Sequence, residues 1–160
     1  MIRGIDDLEV SGKVVFVRCD LNVPLEAGAI TDDGRIRASL PTLKNLADRG
    51  ARVVVLAHLG RPKGLPEQKY SMEPIRQRLA ELAPGVELLE NLRFNAGEEG
   101  NSPEFVASLV KGIDMYVNDA FGAAHRSHAS IVGPPWSLPS AAGRLLEREI
   151  EILGSLRDSP

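Results

Sequence analysis

Val14-Val15-Phe16-Val17-Arg18-Cys19 runs straight into Asp20-Leu21-Asn22-Val23-Pro24. The first part is a short apolar run rich in β-branched residues, which suits a strand buried on both faces of a parallel sheet. The second part is a polar loop closed by proline. Three more such pairs follow. Residues 52–57 lead into His58-Leu59-Gly60-Arg61-Pro62-Lys63-Gly64, and 86–90 lead into Asn91-Leu92-Arg93-Phe94. Residues 113–117 lead into Asn118-Asp119-Ala120-Phe121-Gly122-Ala123-Ala124-His125-Arg126-Ser127-His128.

Helical patterns fill the spaces between. Ile36, Leu40, Leu43 and Leu46 recur at three- or four-residue steps, and Gly50 supplies a stop. A second helix is expected over 72–82, ended by Pro84-Gly85. A third starts at Ser102-Pro103-Glu104, a cap followed by proline and an acid. The last is expected over about 140–156, with Leu145, Leu146, Ile150 and Leu153 on its apolar side. Gly133-Pro134-Pro135-Trp136 reads as a rigid turn before it. Strands alternating with helices predict right-handed βαβ units in a doubly wound parallel sheet, a Rossmann-like three-layer αβα domain. One domain over 1–160 suits the length. Asp158-Ser159-Pro160 reads as the beginning of a linker.

The composition narrows the class of function. Hydrophobic residues make up 43% and charged residues 26%, with a formal net charge of −3. An acidic protein of this kind is expected to bind neither nucleic acid nor a membrane surface. No apolar run approaches the roughly 20 residues that span a bilayer. The opening Met1-Ile2-Arg3-Gly4-Ile5-Asp6-Asp7 does not read as a signal peptide, and the single cysteine, Cys19, fits a small apolar strand residue in a reducing, cytoplasmic setting.

Against that global charge, the cations are concentrated locally. In open parallel sheets ligands bind outside the carboxyl ends of the strands. The loops expected there carry all three histidines, together with Arg61, Arg93 and Arg126; Arg35, at the start of the first helix, faces the same edge. Arginine suits carboxylate and phosphate because its planar fork donates bidentate hydrogen bonds. Helix N-termini at this edge add N–H donors. Arg35, His58, Arg61, Arg93, His125 and Arg126 together read as a site for a small, multiply anionic ligand. Any one of them alone reads as a solvated surface charge. Asp119 reads as structural, holding its loop through backbone N–H groups, and His128 as a cap. Tyr70 and Trp136 read as packing residues. No phosphate-loop motif, no dinucleotide fingerprint, no nucleophile elbow and no metal-ligand spacing occurs.

These strings are also the ones by which the chain resembles phosphoglycerate kinases: 17–24, 30–38, 57–64, 89–94 and 117–126, in that order. The resemblance implies reversible phosphoryl transfer between 1,3-bisphosphoglycerate and ADP, giving 3-phosphoglycerate and ATP in glycolysis. It implies that this chain is the N-terminal, glycerate-binding half. Mg-ATP or Mg-ADP would sit on a separate C-terminal nucleotide-binding domain, with no cofactor and no metal on this chain. Carried over, Asp20 and Asn22 would bond the glycerate hydroxyl and carboxylate end. His58, Arg61, Arg93 and Arg126 would grip the phosphate that is not transferred, with His125 in support. Arg35 would steady the phosphoryl group in flight. The stretch from Pro84 to Asn91 is short for the family, so one βα unit of the sheet is expected to be missing. Two other readings stand beside this one. One is a non-catalytic anion-binding fragment, inactive alone. The other is an aspartyl-phosphate phosphatase using Asp20, although Asn22 cannot protonate a leaving group.

Overall fold

The computed structural model describes residues 3–120 and 127–158. Five strands form the main sheet, in the order β5-β4-β1-β6-β7, and every pairing in it is parallel. They are β1 (Val14–Arg18), β4 (Arg52–Leu56), β5 (Glu87–Leu88), β6 (Met115–Asn118) and β7 (Ser140–Ala142). The central strand β1 is flanked on both sides, which is why its apolar residues do not alternate with polar ones.

Alternate residues of the strands serve two cores. Val15 and Val17 of β1 join Val53 and Val55 of β4 in the larger one. It is covered by α1 (Gly34–Asp48), through Ile36, Leu43 and Leu46, and by α2 (Glu73–Leu82), through Ile75 and Leu79. Phe16, Val54, Leu56 and Tyr116 face the opposite way, onto Leu92 and Leu109. That second layer contains α3 (Ala96–Glu99), α4 (Pro103–Val110) and α5 (Ala129–Val132). Ser102 caps α4 by accepting the Phe105 N–H at 3.3 Å. Helix α6 (Arg144–Asp158) packs beside α1. The architecture is therefore the αβα sandwich expected from the alternating pattern.

Three local features differ from the expectation. Residues 140–142 are not the start of the last helix: Ser140-Ala141-Ala142 pairs with β6, and α6 begins only at Arg144. Small residues carry little strand signal of their own, and the place beside β6 decides the matter. Trp136 does not pack. The 3₁₀ turn Pro134–Trp136 buries Pro134 and leaves the indole 90% exposed. A small hairpin, β2 (Leu25–Glu26) with β3 (Ala29–Ile30), turns on Ala27 and Gly28, both at positive φ.

The edge strand β5 has two residues and follows α2 after a short turn. Arg52 and Glu87 lock β4 to β5 through two hydrogen bonds of 2.9 Å. Beside them lies an open cleft of 720 Å³, lined in part by Val14, Phe16, Val54, Leu88 and Leu89. It opens at the amino ends of β1 and β4 and runs along the sheet face that carries Phe16 and Val54.

Candidate functional site

At the opposite, carboxyl edge, the first strand-end loop folds on itself. Asp20 Oδ1 accepts the Asn22 N–H at 3.3 Å and the Arg35 guanidinium at 3.1 Å. The same Arg35 nitrogen donates to the Asn22 carbonyl at 3.1 Å. The start of α1 and the end of β1 thus bring Asp20, Asn22 and Arg35 together. Arg35 is more than half exposed, so the pair contributes little to stability and its guanidinium faces solvent.

The second loop joins the first through Gly60. Its N–H donates to Asn22 Oδ1 at 2.9 Å, and its carbonyl accepts from Arg93 Nη1 at 3.0 Å. Gly60 has a φ of +62°, in the left-handed region that favours glycine. A Cβ there would lie 2.3 Å from Cε1 of Tyr70. Tyr70 is a packing residue, as expected: its half-buried ring backs the loop.

Asn91 fastens the third loop. Its buried amide donates to the Leu59 carbonyl at 2.7 Å and the Tyr70 carbonyl at 3.0 Å, and its oxygen accepts the Arg93 N–H at 3.0 Å. This turns the backbone so that Arg93, itself 8% exposed, points toward Gly60. Arg61, Lys63 and Arg93 line one cleft of 500 Å³ with Glu99, whose carboxylate lies 3.8 Å from Arg93. Lys63 belongs to this cationic group although the sequence did not single it out; its place two residues after Arg61 was the available signal.

His58 lies between these groups and the interior. Its Nδ1 is 2.7 Å from Nη2 of Arg18, a fully buried arginine. Arg18 was read as strand, not as part of the site. His125 and Arg126 lie outside the described residues. His128 occupies the N-cap position of α5, but its side chain makes no capping hydrogen bond.

Asp119 directly follows β6 and is 1% exposed. Its Oδ1 accepts the Leu145 N–H at 3.0 Å, at the start of α6. Burial pushes its carboxyl up to about 7, opposed by hydrogen bonds from Thr42, Leu145 and Leu146. A Cβ on Gly143 would lie 2.2 Å from that carboxylate oxygen, so glycine is required by the close approach. Asp119 therefore holds the start of α6; most of the loop that follows it lies outside the described residues. Burial also pushes the Cys19 thiol well up, as suits an inert interior cysteine.

Among the described residues, no three His, Cys, Asp or Glu side chains converge to hold a metal ion, and no helix is long and apolar enough to cross a membrane. The chain is, in class, a doubly wound α/β domain with an arginine-rich rim along the carboxyl edge of its sheet. Comparison with known proteins sharpens this. The family profile described as phosphoglycerate kinase matches residues 5–87 and 83–160, two stretches that meet at the short turn before β5. The chain is 48% identical to a phosphoglycerate kinase of Rubrobacter xylanophilus, over 181 positions that take in 99% of this chain and 46% of that protein. It is 48% identical to one of Moorella thermoacetica, covering 96% of this chain and 45% of that one. Among solved structures, phosphoglycerate kinase from Coxiella burnetii superposes with a TM-score of 0.92 and that from Pyrococcus horikoshii with 0.86. Both are 36% identical, and each match covers 97% of this chain and 45% of the other. The chain belongs to the phosphoglycerate kinase family, and it spans less than half the length of the curated relatives it matches.

Proposed function

We propose that this chain is the 3-phosphoglycerate-binding half of a phosphoglycerate kinase. The observation that carries the reading is the fastening of three strand-end loops through Gly60, which brings Asn22, Arg35 and Arg93 to one edge of an acidic protein. Asp20 and Asn22 hold the hydroxyl and carboxylate end of the glycerate. His58, Arg61 and Arg93, joined by Arg126 with His125 in support, take the phosphate that stays on the substrate. Lys63 adds charge beside Arg61 and Arg93.

In the whole enzyme, the bond between phosphorus and the carboxyl oxygen of 1,3-bisphosphoglycerate breaks, and a bond to the terminal phosphate oxygen of ADP forms. The products are 3-phosphoglycerate and ATP, a step of glycolysis in the cytosol. Phosphoryl transfer of this kind needs positioning and charge stabilisation more than covalent chemistry. Arg35 suits the moving phosphoryl group because it is exposed and on the first turn of α1. A rim of guanidinium groups does not suit a Mg²⁺ ion, so the metal and its nucleotide belong to a second domain across a cleft. This chain alone then binds glycerate without turning it over.

Titration of the ¹⁵N-labelled chain with 3-phosphoglycerate, followed by amide shifts, tests the reading. Shifts concentrated at 20–22, 35, 58–61 and 91–93, and larger than those caused by inorganic sulfate, are expected. Equal responses to sulfate and 3-phosphoglycerate would leave only a general anion rim. No shifts in a folded chain would refute the site.

A further inference from the structure

Arg18 is 0% exposed at the carboxyl end of the central strand. A guanidinium is always protonated, has five donors and accepts nothing. Its Nε donates to Ser130 Oγ at 3.0 Å, Nη1 donates to the Cys19 carbonyl, and Nη2 lies 2.7 Å from Nδ1 of His58. A buried charge needs an opposing one. Glu98, also 0% exposed, supplies it through Ser130, whose N–H donates to Oε1 at 2.7 Å and whose hydroxyl donates to Oε2 at 2.5 Å. The serine oxygen thus accepts from the arginine and donates to the glutamate. Tyr116 completes the anchorage by donating to the Ser130 carbonyl at 2.6 Å.

The directions in this relay are forced. Arg18 has only donors, so His58 Nδ1 must accept, and an accepting nitrogen carries no proton. We infer that Arg18 is a positioning residue that holds His58 as the neutral tautomer with its proton on Nε2. A second proton on Nδ1 would set N–H against N–H beside a fixed cation. His58 then acts on an anion as an oriented neutral donor, and the positive charge of the rim comes from its arginines and Lys63. Arg18 itself, fully buried beside Ser130, Cys19 and His58, is no ligand contact. The consequence for the anion rests on the glycerate-site reading; the tautomer does not.

The sites on the relay come from separate layers: Arg18 on β1, His58 after β4, Glu98 on α3 and Ser130 on α5. Nothing local in the sequence would assemble them. The charged groups that bear on His58 through it are the Arg18 guanidinium and, beyond Ser130, the Glu98 carboxylate.

The test is long-range ¹H–¹⁵N correlation of the histidine ring in the ligand-free chain, at pH 8 and pH 6. The expected result at both is a bare Nδ1 and a protonated Nε2 for His58. A proton on Nδ1 at either pH overturns the inference. In R18M, His58 is expected to populate both neutral tautomers at pH 8, because Nδ1 has lost its donor; a folded R18M that keeps only the Nε2-protonated form overturns it equally. Should R18M fail to fold, H58Q decides, because glutamine keeps one acceptor for Arg18 and one donor for the rim. Inorganic phosphate affinity is expected to fall no more than about five-fold in H58Q, the scale of one imperfect hydrogen bond. A loss in H58Q as great as in H58A overturns the oriented-donor role. Absence of phosphate binding with the expected tautomer in place would refute the site reading and leave the tautomer standing.

Discussion

Replacing Gly60 by alanine strikes the point where the rim loops meet. An alanine held at a φ of +62° costs about 1–2 kcal/mol in the left-handed region. The new Cβ would also stand 2.3 Å from Tyr70 Cε1, when carbon atoms settle at roughly 3.5–4.0 Å. The ring cannot retreat freely: the Tyr70 carbonyl is held by Asn91, and Lys69 lies 4.9 Å from the ring centre. If the loop moves instead, it strains the bonds from Gly60 to Asn22 and from Arg93 to Gly60, each worth about 1 kcal/mol. Together these set the loss for G60A at about 3 kcal/mol, or roughly 6–12 °C in Tm for a domain of this size. Thermal and urea unfolding measure it. Adding Y70A to G60A removes the clash and is expected to leave the steric cost of the dihedral alone, apart from the cost of losing the ring measured in Y70A. A stability of G60A within about 0.5 kcal/mol of wild type would refute the reasoning, since that is the range of an unremarkable surface change.

Burial holds the Asp119 carboxyl at about 7 in the folded chain, against an ordinary value of 3.8. The unfolded chain therefore loses this proton first, and the associated stability is present below pH 4 and lost as pH rises through 7. Urea titrations from pH 4 to 7.5 should show D119N gaining on wild type as pH rises, by roughly 4 kcal/mol at the limit; a constant difference would refute the shift. N91A removes a buried amide that satisfies two carbonyls and one N–H, and is expected to cost about 2–4 kcal/mol in urea unfolding while displacing the Arg93 amide resonance. In the chain completed by a nucleotide-binding domain, R35M should lower kcat far more than it weakens 3-phosphoglycerate binding; equal losses in kinetics and calorimetry would deny Arg35 its role in the transition state.

Much of the fold was legible because burial on both faces leaves a direct mark on sequence. The runs at β1 and β4 are nearly continuous in apolar residues, and the rule that ligands sit at the carboxyl edge then located the rim without any contact information. What stayed hidden depends on partners far away in the chain. Arg18 looks like a polar end to a strand until Ser130, 112 residues later, is brought beside it. Gly60 looks like loop punctuation until Tyr70 closes over it. Ser140-Ala141-Ala142 becomes a strand because β6 offers an edge, and Trp136 lies in solvent because its turn buries Pro134 instead.

The short turn before β5 was legible from its length, and its location explains how a rim could outlast it. The family profile breaks at 83–87, and the Rubrobacter relative aligns over 181 positions against the 160 residues here. The open cleft beside β5 is lined by Val14 and Val86, at or just before the starts of β1 and β5, and by Ile113, ahead of β6. Those three mark the amino end of the cleft, and Leu88 and Leu89 line it along β5. His58, Gly60 and Arg93 follow the carboxyl ends of β4 and β5, and none of them lines that cleft. The register of β4 with β5 survives through Val54 and Val55 paired to Glu87 and Leu88, and through the Arg52–Glu87 pair. Beyond β5, the backbone still follows the edge: the Leu89 N–H donates to the Val55 carbonyl at 3.1 Å and the Leu92 N–H to the Ala57 carbonyl at 3.0 Å. Those two bonds deliver Asn91 to the Leu59 carbonyl and Arg93 to Gly60. Shortening the chain at the amino edge thus removes cover from one face of the sheet while the bonds that build the rim remain in place.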